Sequence, residues 1–218
     1  MLYIVSTPIG NLGDITYRAV EILKSVDLIA CEDTRKTRIL TQRYQIQTPL
    51  TSYYEYNKAV KGDYLLRLLK EDKHIALVSD AGTPGISDPG FTLIRSALDA
   101  GFKVISIPGP TALISALSIS GFPTHRFVFE GFLPAKSGGR KKKLKDLKRG
   151  KKGTVVLYES PHRILKTLQD IRDIFGNCPI VLVREVTKKF EEVIRGDAAT
   201  LIRRLETTKP KGEFVVIF

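Results

Sequence analysis

Two α/β domains, the first built on a parallel sheet, are what this sequence of 218 residues predicts, on three observations. Short apolar runs alternate with stretches of helical spacing along the chain, the pattern of a sheet covered by helices on both faces. The composition changes around GFPTH (121–125), which places one domain at 1–121 and a second at 122–218. Past that point the strands lie closer together and neighbours can pair antiparallel, so the second, smaller domain is expected to hold a mixed sheet.

The elements follow in order. LYIVS (2–6) reads as a buried strand entering the loop TPIGNLGD (7–14), and TYRAVEILKSV (16–26) as an amphipathic helix with Asp14 as its N-cap. DLIAC (27–31) is a second strand, EDTRKTRILTQRY (32–44) a helix, and TSYYEYN (51–57) a polar connection to the helix AVKGDYLLRLLKED (59–72). The strand HIALV (74–78) leads through SDAGTPGISDPG (79–90) into the helix FTLIRSALDAG (91–101). KVISI (103–107) is the next strand, and PGPT (108–111) opens the helix ALISALSIS (112–120). The second domain reads as RFVFEGFL, a basic segment, the strand TVVLYE, the helix PHRILKTLQDIRDIF, the strands PIVLVRE and EEVIRG, the helix DAATLIRRLE and the strand GEFVVIF.

Composition narrows the function classes. A hydrophobic content of 43% suits a soluble globular protein, and no apolar run approaches the roughly 18 residues of a membrane span. MLYIVSTPIG lacks the basic start of a signal peptide. Cys31 and Cys178 are too few for a disulfide framework and read as small buried hydrophobes, consistent with a reduced cytoplasm. The net charge of +12 favours a polyanionic partner, nucleic acid above all. KSGGRKKKLKDLKRGKK (136–152) concentrates that charge, with ten basic residues against the single acid Asp146, and is expected to act as an interaction loop or short helix.

Three loops of unusual composition leave the first domain at strand carboxyl ends: STPIGN, SDAGTPGISDPG and PGPTA. Ligands of open parallel sheets bind outside that edge. Glycine and proline let backbone groups approach a ligand in a preset shape, so the loops are expected to wall a small-molecule pocket. GxxxxGK[ST] is absent, GNLG is only half of a dinucleotide fingerprint, and no Gly-x-Ser-x-Gly elbow occurs. His74, His125 and His162 are scattered without ligand spacing, so no metal is expected. A neutral or cationic nucleoside-like cofactor remains.

YIVSTPIGNLGD, CEDTR, SDAGTPGISDPG, PGPTALISAL, GFLP, YESPHR, the RE, TK and FEE of residues 184–192, and KGEFV together resemble the tetrapyrrole-methylase superfamily. Within it they are similar to the branch of 16S rRNA (cytidine-2′-O)-methyltransferases. The resemblance implies two α/β domains with S-adenosylmethionine in a cleft between them, and a homodimer. It implies cofactor contacts at Pro8, Asp80, Thr83, Thr111 and Ala112, with Tyr158, Glu159 and Gly212 from the second domain. Asp80, at a strand end, can accept from the adenosine ribose or the methionine amine. STPIGN replaces the Gly-x-Gly-Pro-Gly loop of porphyrin-using relatives, which argues against a tetrapyrrole substrate. Many ribosomal-RNA relatives also extend past the position of VVIF, which leaves any contact by such a tail open.

A ribose hydroxyl is a poor nucleophile until its proton is removed or its developing charge is stabilised. Glu32 and Asp33 are the candidate bases, and Arg35 or Lys188 could instead stabilise the alkoxide. Arg140, Lys141, Lys142, Lys143, Lys145, Lys148 and Arg149 are the expected contacts to 16S rRNA in the small ribosomal subunit. Two alternatives stay open: a methylase of a small corrinoid or porphyrin, which needs no lysine-rich segment, and a non-enzymatic RNA-binding protein, which needs no cofactor.

Overall fold

A computed structural model describes residues 1–150 and 153–218, which divide into the units Met1–Thr111 and Ala112–Phe218. In the first unit the apolar runs become β1 (Leu2–Val5), β2 (Leu28–Cys31), β3 (Leu50–Ser52), β4 (Ile75–Val78) and β5 (Val104–Ile107). All pair in parallel, in the order β3-β2-β4-β1-β5. Successive side chains of a strand point to opposite faces, which sorts the core into two layers. Val5, Ile29, Ala76 and Val78 meet α1 (Tyr17–Ser25) and α2 (Thr34–Arg43) through Ala19, Leu23 and Leu40. Ile4, Ala30, Ile75 and Leu77 meet α3 (Lys58–Lys70) and α4 (Phe91–Asp99) through Leu65, Leu69, Leu93 and Ala97. The helices that follow the adjacent strands β1 and β4 therefore lie on opposite faces. Such a topological switch point leaves a crevice at the carboxyl ends of those two strands.

Two local expectations are corrected. Asp14 does not cap α1: it closes a 3-10 turn, Leu12–Asp14, while Ile15 and Thr16 stay extended. The helix starts only at Tyr17, and the Thr16 hydroxyl accepts from Ala19 N at 3.1 Å. The polar connection at 51–57 gives its first residues to β3, because Leu50 and Thr51 find a free edge beside Ile29 and Ala30 of β2.

The second unit contains α5 (Ala112–Ser118), β6 (Phe127–Phe132), α6 (Ser137–Gly150), β7 (Thr154–Glu159), α7 (Ile164–Phe175), β8 (Pro179–Arg184), β9 (Glu192–Asp197), α8 (Ala198–Thr207) and β10 (Phe214–Ile217). Its sheet runs β6-β7-β10-β8-β9 and is mixed: β6 and β7 are parallel, the other pairs antiparallel. Leu144 and Leu147 of α6, Leu168 and Ile171 of α7, and Leu201 and Leu205 of α8 share one core with Val155, Leu157, Leu182 and Phe214. The change of composition at 121–125 leaves α5 with the first domain, whereas the units divide after Thr111. The cause is local: α5 packs on β7 and β10, and its Leu113 amide donates to the Tyr158 hydroxyl at 3.0 Å.

Candidate active site

At the switch point of the first unit the three Gly- and Pro-rich loops close on one another. Thr7 and Gly82 exchange backbone hydrogen bonds, Thr7 N to Gly82 O at 2.9 Å and the reverse at 3.0 Å. The Ser6 and Thr83 hydroxyls lie 2.8 Å apart, and Thr7 Oγ1 donates to the Ser79 carbonyl. The third loop comes in at Gly109, where a Cβ would stand 3.0 Å from Ser6 Cβ and 3.3 Å from its carbonyl oxygen. Only glycine permits that approach without displacing a neighbour. Beside the loops is a depression of about 140 Å³, lined in part by Pro8, Leu12, Lys36, Ile39 and Asp80.

Charge gathers where β2 and β4 end. Asp80 accepts from the Asp33 amide at 3.0 Å and from Lys36 Nζ at 2.6 Å, so each carboxylate oxygen keeps one lone pair for a ligand. Asp33 caps α2 by accepting from the Arg35 amide, and binds both Nε and a terminal nitrogen of the Arg35 guanidinium at 3.0 and 2.7 Å. Those bonds hold its carboxyl at about 2. Glu32 is in the opposite state. Burial, then the neighbouring Asp80 charge, raises its pKa above the ordinary carboxylate value, although it accepts from the Asp80 amide. Lys36 was not singled out by sequence; its ammonium, raised by Asp80, is the near neighbour of both acids. Its one available signal was its place in the first turn of α2, next to Arg35.

The second unit brings its named residues to one end of its sheet. Phe214 is the register partner of Glu159 on β7 and of Arg184 on β8, so Tyr158, Glu159, Glu185 and Gly212 are neighbours there. Tyr158 is packed edge-on by Phe129 and Phe132, with centroids at 4.9 and 5.8 Å. Glu159 is 2% exposed, and its carboxylate accepts from Ser160 N and Thr167 Oγ1, with Arg163 Nε at 3.3 Å. Its side chain is thus structural, and only its backbone can meet a ligand. Gly212 has φ +83°, and a Cβ there would lie 2.4 Å from Glu185 Cγ. Lys188 Nζ binds Glu185 at 2.9 Å and Glu213 at 2.8 Å. Partial burial opposes its charge, but the two carboxylates outweigh it and raise the pKa.

Residues 137–150 of the basic segment form a helix, α6, and its cations are unequal. Arg140 is 3% exposed, donates to Asp170 at 2.6 Å and to the Ala135 carbonyl, and so cannot reach a phosphate, contrary to the sequence expectation. Lys141 pairs with Asp173 and Asp170, Lys143 with Glu130, and Lys148 binds the Ile174 carbonyl. Arg149 is loosely placed 3.6 Å from Asp146, and Lys142 and Lys145 point outward with no carboxylate partner among the described residues. Lys151 and Lys152 of the run lie outside the described residues. Among the described residues no group of three His, Cys, Asp or Glu is placed to hold a metal, and no helix is long and apolar enough to cross a membrane.

The family model for tetrapyrrole (corrin/porphyrin) methylases matches residues 1–202. The chain is 50% identical over 218 residues to the ribosomal RNA small subunit methyltransferase I of Synechocystis sp., covering all of this chain and 78% of that protein. To the protein of the same name from Thermotoga maritima it is 47% identical over 216 residues, 99% of this chain and 96% of the relative. Among solved structures, a cobalt precorrin-4 methyltransferase superposes with a TM-score of 0.75 at 17% identity, covering 99% of this chain and 93% of that one. Uroporphyrin-III C-methyltransferase from Thermus thermophilus, complexed with S-adenosylhomocysteine, gives 0.68 at 19% identity, over 99% and 96%. At such identities the likeness is one of fold.

Proposed function

Because the chain belongs to the tetrapyrrole (corrin/porphyrin) methylase family, we propose that it transfers a methyl group from S-adenosylmethionine to small-subunit ribosomal RNA, at the 2′-oxygen of a cytidine. The observation that carries this reading is the identity of 50% over all 218 residues of this chain to a ribosomal RNA methyltransferase, in a chain whose three loops close on a switch-point crevice. The crevice suits the cofactor: its wall is backbone and small hydroxyls, and the adjacent Asp80 and Glu32 favour a ligand with cationic amine and sulfonium groups. Pro8, Asp80, Thr83 and Thr111 are the first unit's cofactor contacts in this proposal.

When bound, S-adenosylmethionine supplies a methyl already activated by its sulfonium. The protein then has to orient the ribose hydroxyl and manage its proton. Glu32 is the base: its raised pKa keeps the carboxylate basic, whereas Asp33, at about 2, is too weak a base. Arg35, exposed and only partly used by Asp33, stabilises the developing oxyanion. Lys188, matched by two carboxylates, braces its loop. The acceptor is an RNA in the cytoplasm, and the chain works as a homodimer. Exposed Tyr56, Val60 and Phe91 of the first unit supply apolar surface for such pairing. Labelled S-adenosylmethionine incubated with small ribosomal subunits should transfer its methyl to one cytidine 2′-oxygen, mapped by resistance to alkaline cleavage. Transfer to a tetrapyrrole instead, or to no RNA, sinks the reading, and sedimentation tests the dimer.

A further inference from the structure

The loop from β8 to β9, residues 185–191, is built more rigidly than a hairpin connection needs. Glu185 and Thr187 both hold left-handed backbones, at φ 51° and 67°, which side-chain-bearing residues keep only when their surroundings enforce it. The bracing is visible. Lys188 N donates to the Glu185 carbonyl at 2.9 Å, Glu191 N to the Lys188 carbonyl at 3.0 Å, and Thr187 N to the Glu191 carboxylate. The amide of Glu213, just before β10, donates to the Glu185 carboxylate at 2.8 Å, and Lys188 ties that carboxylate to Glu213. This pedestal carries Phe190, 66% exposed, with Lys189 Nζ 5.7 Å from the ring centroid. Lys189 pairs with no carboxylate among the described residues.

A lone exposed phenyl ring needs no explanation. Here the ring is held by a strained, cross-linked loop, has a cation beside it, and leaves the same sheet end as Tyr158 and Gly212. Unpaired RNA bases are bound by aromatic faces with a cation nearby for the backbone, and a ring fixed in advance loses little freedom on binding. We propose that Phe190 is a stacking platform for an unpaired base of the RNA substrate, with Lys189 on the adjoining phosphate. The proposal rests on the ribosomal-RNA reading above and adds a positioning residue to it.

Phe190→Ala should raise KM for small ribosomal subunits by about 10-fold, the loss of roughly one base stack. Its kcat and its affinity for S-adenosylmethionine should stay within about twofold, a split that a folding defect would not give. Phe190→Trp should restore KM. Because the sequence contains no tryptophan, that variant also carries a single indole, whose emission should be quenched by an added single-stranded fragment of the small-subunit RNA. Lys189→Ala should flatten the salt dependence of RNA binding by about 0.7 logarithmic units. Wild-type KM in Phe190→Ala, a parallel loss of cofactor affinity, or unquenched emission from Phe190→Trp each overturns the platform. An active wild type with those results leaves the methylation reading standing, whereas a wild type that methylates no ribosomal RNA removes both.

Discussion

Glu32 and Asp33 leave the end of one strand together and finish in opposite electrostatic states. Asp33 turns into α2 and is satisfied by Arg35, whereas Glu32 is partly buried beside the charge of Asp80. Glu32→Gln should therefore lower kcat by about 10²- to 10⁴-fold with RNA binding kept, as expected on removing a general base. Activity of the wild type should rise with pH through a pKa above the ordinary glutamate value, and that limb should vanish in the variant. The stability signs differ too. Glu32 has a raised folded pKa, so its contribution is most favourable below the unfolded value of 4.5 and declines as pH rises through the folded one. Glu32→Gln should thus be no less stable than wild type at pH 7. Asp33 is lowered from 3.8 to about 2, so its contribution is present above 3.8 and lost as pH falls toward 2. Asp33→Asn should be less stable at neutral pH, with the gap closing in acid; thermal melts between pH 2 and 7 read both. Both residues stood out in CEDTR, but the burial and the Asp80 charge that raise Glu32 come from the fold: Asp80 lies 47 positions on from Asp33, and no spacing rule reaches across that interval.

α6 shows how a charge run conceals an element. Arg140, Leu144 and Leu147 fall at helical spacing and face the core, yet the lysines between them give the segment the look of a solvated arm. Once the helix is docked, Lys141 meets Asp173 of α7 and Lys143 meets Glu130 of β6. Lys142→Ala with Lys145→Ala should flatten the salt dependence of RNA binding by about 1.5 logarithmic units, at two phosphate contacts of roughly 0.7 to 0.9 each. The same pair of changes at Lys141 and Lys143 should do less, because those cations already have protein partners. Arg140→Ala belongs to stability: it strands the buried Asp170 and should cost about 3 to 5 kcal/mol, read from denaturant unfolding. Gly212, two residues before β10, has a comparable role, and Gly212→Ala should destabilise by about 1 to 3 kcal/mol through its left-handed backbone and the clash with Glu185.

Across the molecule, the alternation of apolar runs and helical periods was enough for the class of each sheet, parallel in one unit and mixed in the other. Strand order was not legible. That β1 and β4 lie side by side, which creates the crevice, depends on the faces that α1 and α4 cover, and those follow from packing over the whole unit. The division after Thr111 was hidden for a related reason, since α5 is drawn to β7 and β10 by contacts no local composition announces. A folded crevice that binds the cofactor should also stabilise the chain, by about 2.7 kcal/mol at a hundredfold excess over Kd. Calorimetry with and without S-adenosylmethionine tests this, and an unshifted midpoint at saturation would count against the site. The place of β10 has a further consequence. It is the middle strand of its sheet and, among the described residues, the last strand in chain order, bonded to β7 on one side and β8 on the other. During translation the first unit has all its strands once Ile107 is made, whereas the second keeps open edges on β7 and β8 until Ile217 is joined. The 58 residues from the end of β7 at Glu159 to Ile217 take roughly 3 to 12 s at about 5 to 20 residues per second. For those seconds the nascent second unit exposes strand edges open to mispairing, and a holding chaperone is needed most then.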